Sequence, residues 1–202
     1  MGETEPRSFS SFTWILLLVA GVLFLLFVLR PSGISHRGGT SHAAVGTELS
    51  DLQLLPLTGS DKPINIDDLA GKVTLINFWG TWCPPCIAEF PHIVQIGEEF
   101  EQYEDFQLLS VSCGTSPNAS VDELEEDTRM FLESRNAAIK TYADPDVITR
   151  QALVKDSKSS SFGYPTTVLL DRNGVIRALW DTGYAPGLEK EIHIAVKGLL
   201  IP

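Results

Sequence analysis

Two cysteines separated by two prolines lie near the middle of the chain, in the stretch FWGTWCPPCIAEFP at positions 78–91. Two thiols at this spacing can cycle between dithiol and disulfide, and the thiolate is the species that attacks in such an exchange. A continuous apolar run at 73–79 predicts a buried strand that leads into the pair. Pro84 then suits the first turn of a helix, because its missing N–H would have no partner there. Cys83 is therefore predicted at the helix N-cap, where unpaired N–H groups and the helix dipole lower the pKa of its thiol.

Cys86 follows one helical turn later and is expected on the same helix face, less exposed than Cys83. It can attack a mixed disulfide formed at Cys83 and release the partner, so the pair predicts reversible two-electron exchange. Other uses of a cysteine pair fit less well. Zinc takes four ligands, commonly from two such pairs, and covalent haem attachment needs a histidine where Ile87 stands. An inert disulfide closing so short a ring would restrict the unfolded chain little. We predict no metal and no other cofactor.

Strands and helices alternate along the rest of the chain. The patterns predict a helix over Pro84 to about Tyr103, a strand at 106–112, an acidic helix at 119–135, two strands at 164–171 and 175–180, and a last helix over 186–200. The turn Asn173-Gly174 between the two later strands is a strong hairpin signal. This order predicts an α/β fold with a mixed sheet.

Residues 46–202 resemble thioredoxin-fold domains, and they resemble more closely the membrane-tethered thiol–disulfide oxidoreductases of the TlpA/ResA type. The matching pieces are GKVTLINFWGTWCPPCIAEFP at 71–91 and GYPTTVLLDRNGVI at 163–176. The resemblance implies a thioredoxin-like domain over 47–202, with a central mixed sheet flanked by helices. It also implies that the protein is an enzyme acting on the thiols or disulfides of other proteins.

The same resemblance assigns roles to individual residues. It makes Cys83 the nucleophile and Cys86 the resolving thiol, and the two would form the redox disulfide. It makes Pro165 a cis-proline that faces the pair. Tyr164 would then offer backbone groups to an extended substrate segment, as a short strand addition.

Glu89 matches the acidic residue of the TlpA/ResA motif. It also lies three residues after Cys86, so the two share a helix face. A carboxylate there could accept the proton of Cys86 and would disfavour the thiolate charge. The alternative is an ordinary surface glutamate. Asn77 stands where minimal thioredoxins carry a buried aspartate, so that proton acceptor is in doubt in this chain.

Residues beside the pair are candidates for substrate contact. Trp82, Pro84 and Pro85 are predicted to line the substrate site, whereas Trp79 fits the core equally well. Cys113 follows a strand expected to run parallel to the one before Cys83, so both cysteines should lie at the same end of the sheet. It is either a third redox thiol or a small buried hydrophobe.

The first part of the chain predicts a membrane anchor. No Asp, Glu, Lys, Arg or His occurs from Phe9 to Leu29, and about 20 apolar residues span the hydrocarbon core of a bilayer. We expect an N-terminal tail at 1–12, a transmembrane helix at 13–29 and a flexible linker at 30–46. The alternative is a cleaved signal peptide, but the apolar run exceeds its usual length and no small-residue cleavage site follows.

The orientation of this anchor is ambiguous from charge. Arg7 precedes the apolar run, whereas Arg30 and Arg37 follow it, which leans weakly towards a cytoplasmic domain. Dithiol chemistry of the TlpA/ResA type leans the other way. We expect a single-pass protein of the cell membrane, with its catalytic domain on the periplasmic side.

Charge and the remaining motifs limit the function. The formal net charge is −11, which excludes the basic surface that nucleic acid requires. The resemblance implies a reductant outside the cytoplasm, with cytochrome c maturation as a typical task. An upstream membrane or soluble thiol reductant would supply its electrons. Two alternatives remain: a peroxiredoxin-like thiol peroxidase, whose P-x-x-x-T/S-x-x-C pattern is broken at Ile76 and Gly80, and a non-catalytic thioredoxin-fold binding module.

Overall fold

The computed structural model describes residues 11–28, 38–116, 120–181 and 183–201. The chain divides into two compact units, Met1–Ser35 and His36–Pro202. Helix α1 of the first unit spans Ser11–Val28 and overlaps the predicted membrane span at 13–29. In the described ranges, no helix is both long and apolar enough to cross a membrane.

The second unit contains the predicted α/β arrangement. Its described elements are β1 Gln53–Thr58, β2 Ile64–Asn65, a short 3₁₀ helix Ile66–Leu69, β3 Val73–Trp79, α2 Pro84–Phe100, β4 Phe106–Ser112, α3 Val121–Arg135, β5 Thr141–Ala143, α4 Ile148–Ser157, β6 Thr166–Leu170, β7 Ile176–Trp180 and α5 Leu188–Leu200. The elements predicted from sequence are confirmed in β3, α2, β4, α3, the hairpin β6–β7 and α5.

The strands form one seven-stranded sheet in the order β2-β1-β5-β4-β3-β6-β7. Strands β3, β4 and β5 run parallel to one another, whereas β1 and β6 pair antiparallel to their neighbours β5 and β3. The sheet is therefore mixed, as expected. Because β3 and β4 are parallel neighbours, the residues that follow them leave the sheet at the same end.

Strand β3 lies inside the sheet between β4 and β6, and all seven of its residues are buried. On one face, apolar side chains of α2 and α5 pack against Val73 and Leu75. On the other face, Ile76 and Phe78 pack in a cluster that includes residues of α4 and β1. A strand covered on both faces needs a continuous apolar sequence, which is why β3 was readable from the sequence.

Five elements were not predicted: β1, β2, β5, α4 and the short 3₁₀ helix. Strand β5 has only three residues, which is too short for any alternation to show. Helix α4 carries the sequence ITRQALVKDS, in which polar residues interrupt the apolar spacing. The unpredicted strands pair at or near the sheet edge, where tertiary pairing rather than a local pattern decides the structure.

The predicted linker at 30–46 extends too far towards the C-terminus. Gly39 exchanges two backbone hydrogen bonds with Leu179, at 2.7 and 3.2 Å. Ala44 is fully buried in the main core cluster. Residues 38–46 are thus part of the folded unit, and their pairing with β7 uses backbone groups, which leave no hydrophobic period in the sequence. Residues 30–37 of the predicted linker lie outside the described ranges.

Candidate active site

The cysteine pair lies where β3 leads into α2. Cys83 is the N-cap of α2, with Pro84 in the first turn, and its sulfur accepts a hydrogen bond from the backbone N–H of Cys86 at 3.3 Å. Cys83 and Cys86 are joined in a disulfide with an S–S distance of 2.08 Å. The N-cap position puts the sulfur of Cys83 against the backbone N–H of Cys86, because Pro84 and Pro85 have no N–H to offer. This donor and the helix dipole stabilise a thiolate when the bond is reduced.

Both cysteines are buried in this oxidised state, and the expected difference in exposure between them is small. Cys83 is 3 % exposed and Cys86 is 1 % exposed. Both sulfurs pack in one cluster with Trp79 and Phe90, whose rings lie 4.7 Å apart. Trp79 is therefore a core residue. The assignment of nucleophile and resolving thiol must rest on the N-cap position of Cys83 rather than on its exposure.

Glu89 is buried, so the reading of it as an ordinary surface glutamate is wrong. Its side chain is 3 % exposed and its Oε1 accepts a hydrogen bond from the hydroxyl of Thr167 at 2.8 Å. That hydroxyl in turn accepts from Nδ2 of Asn77 at 2.9 Å. In the part of the chain that the structure describes, Oε2 of Glu89 has no hydrogen-bond partner.

This environment changes the protonation of Glu89. Burial raises its pKa from 4.5 to about 7, and the hydrogen bond from Thr167 offsets only part of that effect. A carboxyl group with a pKa near neutrality can both accept and return a proton at physiological pH. Asn77 is buried beside this group and supports it through the hydrogen bond to Thr167.

The segment before β6 faces the same region. The peptide bond between Tyr164 and Pro165 is cis, as the resemblance implied. Pro165 is buried, and Tyr164 packs against the cluster that contains both cysteines. The predicted contact between this segment and the cysteine pair is consistent with that packing.

Trp82 covers the surface beside the pair. Trp82 is 42 % exposed, although it directly precedes the buried Cys83. Its indole N–H donates to the carbonyl oxygen of Cys113 at 2.9 Å, and its ring meets that of Tyr164 edge-on at 5.4 Å. An exposed aromatic ring held in this way is suited to contact a substrate. Pro84 is exposed and Pro85 is half-buried, so both can contribute to the same surface.

Gly80 is required by this position of Trp82. A Cβ atom at Gly80 would lie 2.5 Å from Nε1 of Trp82 and 2.8 Å from the carbonyl oxygen of Cys113. The thiol peroxidase pattern needs Thr or Ser at this position, and either side chain would displace the indole. This close approach argues against the peroxidase alternative.

Cys113 has the properties of a buried structural residue. It is 3 % exposed, and burial raises the pKa of its thiol to about 11, while the charge of Arg150 opposes the shift. At neutral pH the side chain is therefore a protonated thiol and a poor nucleophile. It lies at the same end of the sheet as Cys83, as predicted, but its chemistry favours the small buried hydrophobe over the third redox thiol.

Three residues of this region were not singled out by the sequence reasoning. Thr167 could have been found from the pairing of the two strands, because it lies opposite Asn77 in the register of β3 and β6. Asp144 and Arg150 form a buried ion pair with a separation of 2.9 Å. The sequence pattern does not predict this ion pair, because it does not predict α4, which carries Arg150. Among the described residues, no group of three or more His, Cys, Asp or Glu side chains is placed to hold a metal ion.

Comparison with known proteins agrees with this geometry. The model of the AhpC/TSA family matches residues 45–179. The chain is 30 % identical over 169 residues to the thiol-disulfide oxidoreductase ResA of Geobacillus thermodenitrificans, an alignment that covers 80 % of this chain and 86 % of that protein. It is 27 % identical over 164 residues to the thiol:disulfide interchange protein DsbE of Pseudomonas aeruginosa, covering 81 % of this chain and 77 % of that protein.

A solved structure shows the same fold. The thiol:disulfide interchange protein of the thioredoxin family from Chlorobium tepidum matches with a TM-score of 0.59 and 20 % identity, over 77 % of this chain and 97 % of that chain. At this identity the likeness speaks for the fold alone. The family match shows that the chain belongs to the AhpC/TSA family. The similarity to ResA shows that it is a thiol–disulfide oxidoreductase, and the solved structure shows its thioredoxin-like fold.

Proposed function

We propose that this protein is a membrane-tethered reductant that exchanges its Cys83–Cys86 couple with protein disulfides outside the cytoplasm. The observation that carries the proposal is the disulfide at the N-cap of α2, with Glu89 buried one helical turn beyond Cys86. The N-cap favours a thiolate at one sulfur, and the carboxyl group with a raised pKa offers a proton acceptor near the other.

The reaction balances as two electrons and two protons. In the reduced protein, the Cys83 thiolate attacks a substrate disulfide, and one substrate sulfur leaves and takes up a proton. Cys86 then loses its proton to Glu89 and attacks the sulfur of Cys83. The Cys83–Cys86 disulfide forms and the bond between Cys83 and the substrate breaks. The second substrate sulfur leaves as a thiolate and takes up the proton that Glu89 releases.

Binding of the substrate segment is assigned to the surface around the pair. Tyr164, next to the cis-proline Pro165, presents backbone groups to an extended chain. The exposed ring of Trp82 and the adjacent Pro84 and Pro85 supply apolar contact. A short strand addition of this kind accepts many sequences, because the main chain carries most of the hydrogen bonds.

Tethering to the membrane is supported by the N-terminal sequence. Residues 9–29 contain no charged side chain, and about 20 apolar residues match the hydrocarbon core of a bilayer. The proposal places the domain after this segment on the periplasmic side, where protein disulfides form and a dedicated reductant has substrates. A thiol reductant in the membrane or in solution must return two electrons to the disulfide after each turnover.

Cytochrome c maturation is the task we propose for this reductant. The sequence C-x-x-C-H, to which haem is attached, must have both cysteines reduced before the attachment. A disulfide-bonded peptide with that sequence is therefore a suitable test substrate.

The first experiment follows the two half-reactions with this peptide. The reduced protein should reduce the peptide disulfide and become oxidised in equal amount. Cys86→Ser should accumulate a mixed disulfide through Cys83, whereas Cys83→Ser should form none. Trapped peptide on Cys83→Ser would reverse the two roles, and the absence of reduction by the unaltered protein would overturn the proposed activity.

A second experiment tests the location. Protease added to intact cells, or to spheroplasts if an outer membrane is present, should digest the domain while a cytoplasmic marker survives. Protection of the domain would show that the weak arginine bias around the apolar segment was the correct guide to orientation.

A further inference from the structure

A buried ion pair lies behind the substrate surface and has no part in the exchange reaction itself. Asp144 is 2 % exposed and Arg150 is 9 % exposed. Oδ2 of Asp144 accepts hydrogen bonds from Nε of Arg150 at 2.9 Å and from its backbone N–H at 3.0 Å. The guanidinium group also donates through Nη2 to the backbone carbonyl of Asp144. The head group of Arg150 is thus fixed from two sides.

The remaining nitrogen of this guanidinium group points to the substrate segment. Nη1 of Arg150 donates to the phenol oxygen of Tyr164 at 2.7 Å. The thiol of Cys113 lies beside this phenol, close enough for each group to influence the pKa of the other. The phenol is therefore anchored at the far end of the side chain whose backbone precedes Pro165.

Trp82 contacts both Cys113 and Tyr164. The carbonyl oxygen of Cys113 accepts from the indole N–H of Trp82, and the rings of Trp82 and Tyr164 meet at 5.4 Å with their planes 79° apart. Tyr164, Cys113 and Trp82 thus form a closed set of contacts, and Arg150 enters it from the buried side. We refer to Trp82 and Tyr164 together as the aromatic platform.

We infer that Arg150, held by Asp144, is a positioning residue that fixes the aromatic platform over the cysteine pair and so determines how well a polypeptide disulfide is recognised. This inference rests on the proposed function, because it concerns the surface that the substrate segment would contact. It also gives Cys113 a role without redox chemistry, since its carbonyl oxygen accepts from the indole of Trp82 and its side chain lies beside Tyr164.

Stability alone is a weak explanation for this ion pair. Replacing a buried pair by apolar residues of similar size is often neutral or stabilising, because desolvation offsets the attraction between the charges. A planar guanidinium group differs from an apolar side chain by presenting donors in fixed directions. Here Nε of Arg150 donates to Asp144 and Nη1 donates to the phenol of Tyr164. Such fixed donors can orient the ring of Tyr164.

The test compares two substrates that differ in their need for the platform. A disulfide-bonded peptide can add its backbone to the segment before Pro165, whereas hydroxyethyl disulfide has no peptide backbone to place there. In Arg150→Met and in Tyr164→Phe, the ratio of the second-order rate constants, peptide over small disulfide, should fall by roughly tenfold to a hundredfold, since small misplacements of a binding group carry penalties of this size. Tyr164→Phe keeps the ion pair intact and covers the case in which Arg150→Met does not fold.

The double variant decides whether the two residues act in series. If Arg150 acts through the phenol, Arg150→Met combined with Tyr164→Phe should lower the ratio no further than the larger single loss. Arg129→Met is the matched control, because Arg129 makes exposed ion pairs on α3 with Glu126 and Glu133. Its ratio should equal that of the unaltered protein. Independent, multiplying losses, or an equal loss on both substrates, would overturn the inference.

A structural readout separates this inference from the proposed function. The indole N–H resonance of Trp82 is identified by its loss in Trp82→Phe. It should shift or broaden in both Arg150→Met and Tyr164→Phe, while it stays in place in Arg129→Met. If the unaltered protein reduces neither substrate, the proposed function fails and this readout alone decides the inference. An unmoved Trp82 resonance in both variants would overturn it.

Discussion

Two buried carboxyl groups near the cysteine pair show how the same fold uses burial in opposite ways. Glu89 and Asp144 are 3 % and 2 % exposed. Glu89 receives a single hydrogen bond, from the hydroxyl of Thr167, and its other oxygen has no partner within the described residues. Asp144 receives backbone N–H groups from the first turn of α4 and a paired guanidinium group from Arg150.

The difference between the two groups lies in how far their charge is compensated. Burial disfavours an ionised carboxylate unless donors and an opposite charge replace the lost water. Asp144 has both kinds of compensation and therefore holds backbone and side chain in place. Glu89 has little of either, so its pKa rises to about 7 and it can exchange a proton. The contact set of a buried acid, rather than its burial, decides whether it supports structure or chemistry.

The largest expected effect is kinetic and concerns Glu89. Glu89→Gln keeps the shape of the side chain and removes the proton acceptor, so resolution of the mixed disulfide by Cys86 should slow by roughly 10²–10⁴-fold at most. The first attack by Cys83 should change much less. Loss of the nearby carboxylate should also lower the pKa values of both thiols, which works in the opposite direction.

The two contributions of Glu89 are separated by measuring each half-reaction across a pH series. A lost base slows resolution mainly above about pH 7, where Glu89 of the unaltered protein is ionised, whereas lower thiol pKa values shift the profiles to lower pH. The matched control is Glu99→Gln, because Glu99 lies on the exposed surface of the same helix. If the rates and thiol titrations of Glu89→Gln match those of the unaltered protein, Glu89 has no role in proton transfer.

The next largest effect is on stability and concerns Asp144. Asp144→Asn leaves Arg150 buried without its counter-charge, so the free energy of unfolding should fall by about 3–5 kcal/mol. Urea unfolding measures this loss as a shift of the midpoint at constant slope. The matched control is Asp105→Asn, since Asp105 pairs with Arg172 at the surface, where an ion pair contributes about 0–1 kcal/mol. Equal losses in the two variants would contradict the structural role of Asp144.

A third effect is the pH dependence of stability that Glu89 imposes. Its pKa is about 7 in the folded protein and 4.5 in the unfolded chain. Below pH 4.5 the folded and the unfolded protein both hold the proton, and the full stabilisation by protonated Glu89 is present. As the pH rises, the unfolded chain ionises first, so the stability falls by about 3 kcal/mol until the folded group ionises as well.

This pH effect is isolated by comparison with Glu89→Gln, which has no proton to lose. The difference in unfolding free energy between the two proteins should move in favour of the variant by about 3 kcal/mol between about pH 4 and pH 8. A constant difference over that interval would show that Glu89 has an ordinary pKa in the folded state.

The contrast between Glu89 and Asp144 also shows which features could be predicted from the sequence. Cys83, Cys86 and the central strand were predicted because a dithiol spacing, a helix-starting proline and an uninterrupted apolar run are local patterns. Glu89 was placed near the pair for the same reason, but its burial depends on Thr167, which is distant in sequence.

Asp144 and Arg150 were not predicted because nothing local distinguishes them from surface charges. Arg150 lies in a helix of ten residues with a weak apolar pattern, and Asp144 precedes that helix. Tyr164, the partner of Arg150, lies beyond the end of the helix. Likewise, the folded region starts earlier than the predicted Thr47, because the segment around Gly39 is held by backbone pairing. In each case, contacts between distant parts of the chain determine the structure.

The smallest expected effect concerns the turn that brings Asp144 to Arg150. Val147 has φ 61° and ψ 14°, in the left-handed region, which a β-branched side chain enters only with strain of about 1–3 kcal/mol. Asparagine enters this region more readily. Val147→Asn should therefore raise the free energy of unfolding by up to about 1 kcal/mol, because the loss of a half-buried apolar side chain offsets part of the relief. The matched reverse variant is Asn136→Val, at the end of α3 with φ 50°, which should lose about 1–2 kcal/mol. Urea midpoints of the two variants should move in opposite directions. If both midpoints fall, the backbone of Val147 is not strained, and the prediction for Val147→Asn is wrong.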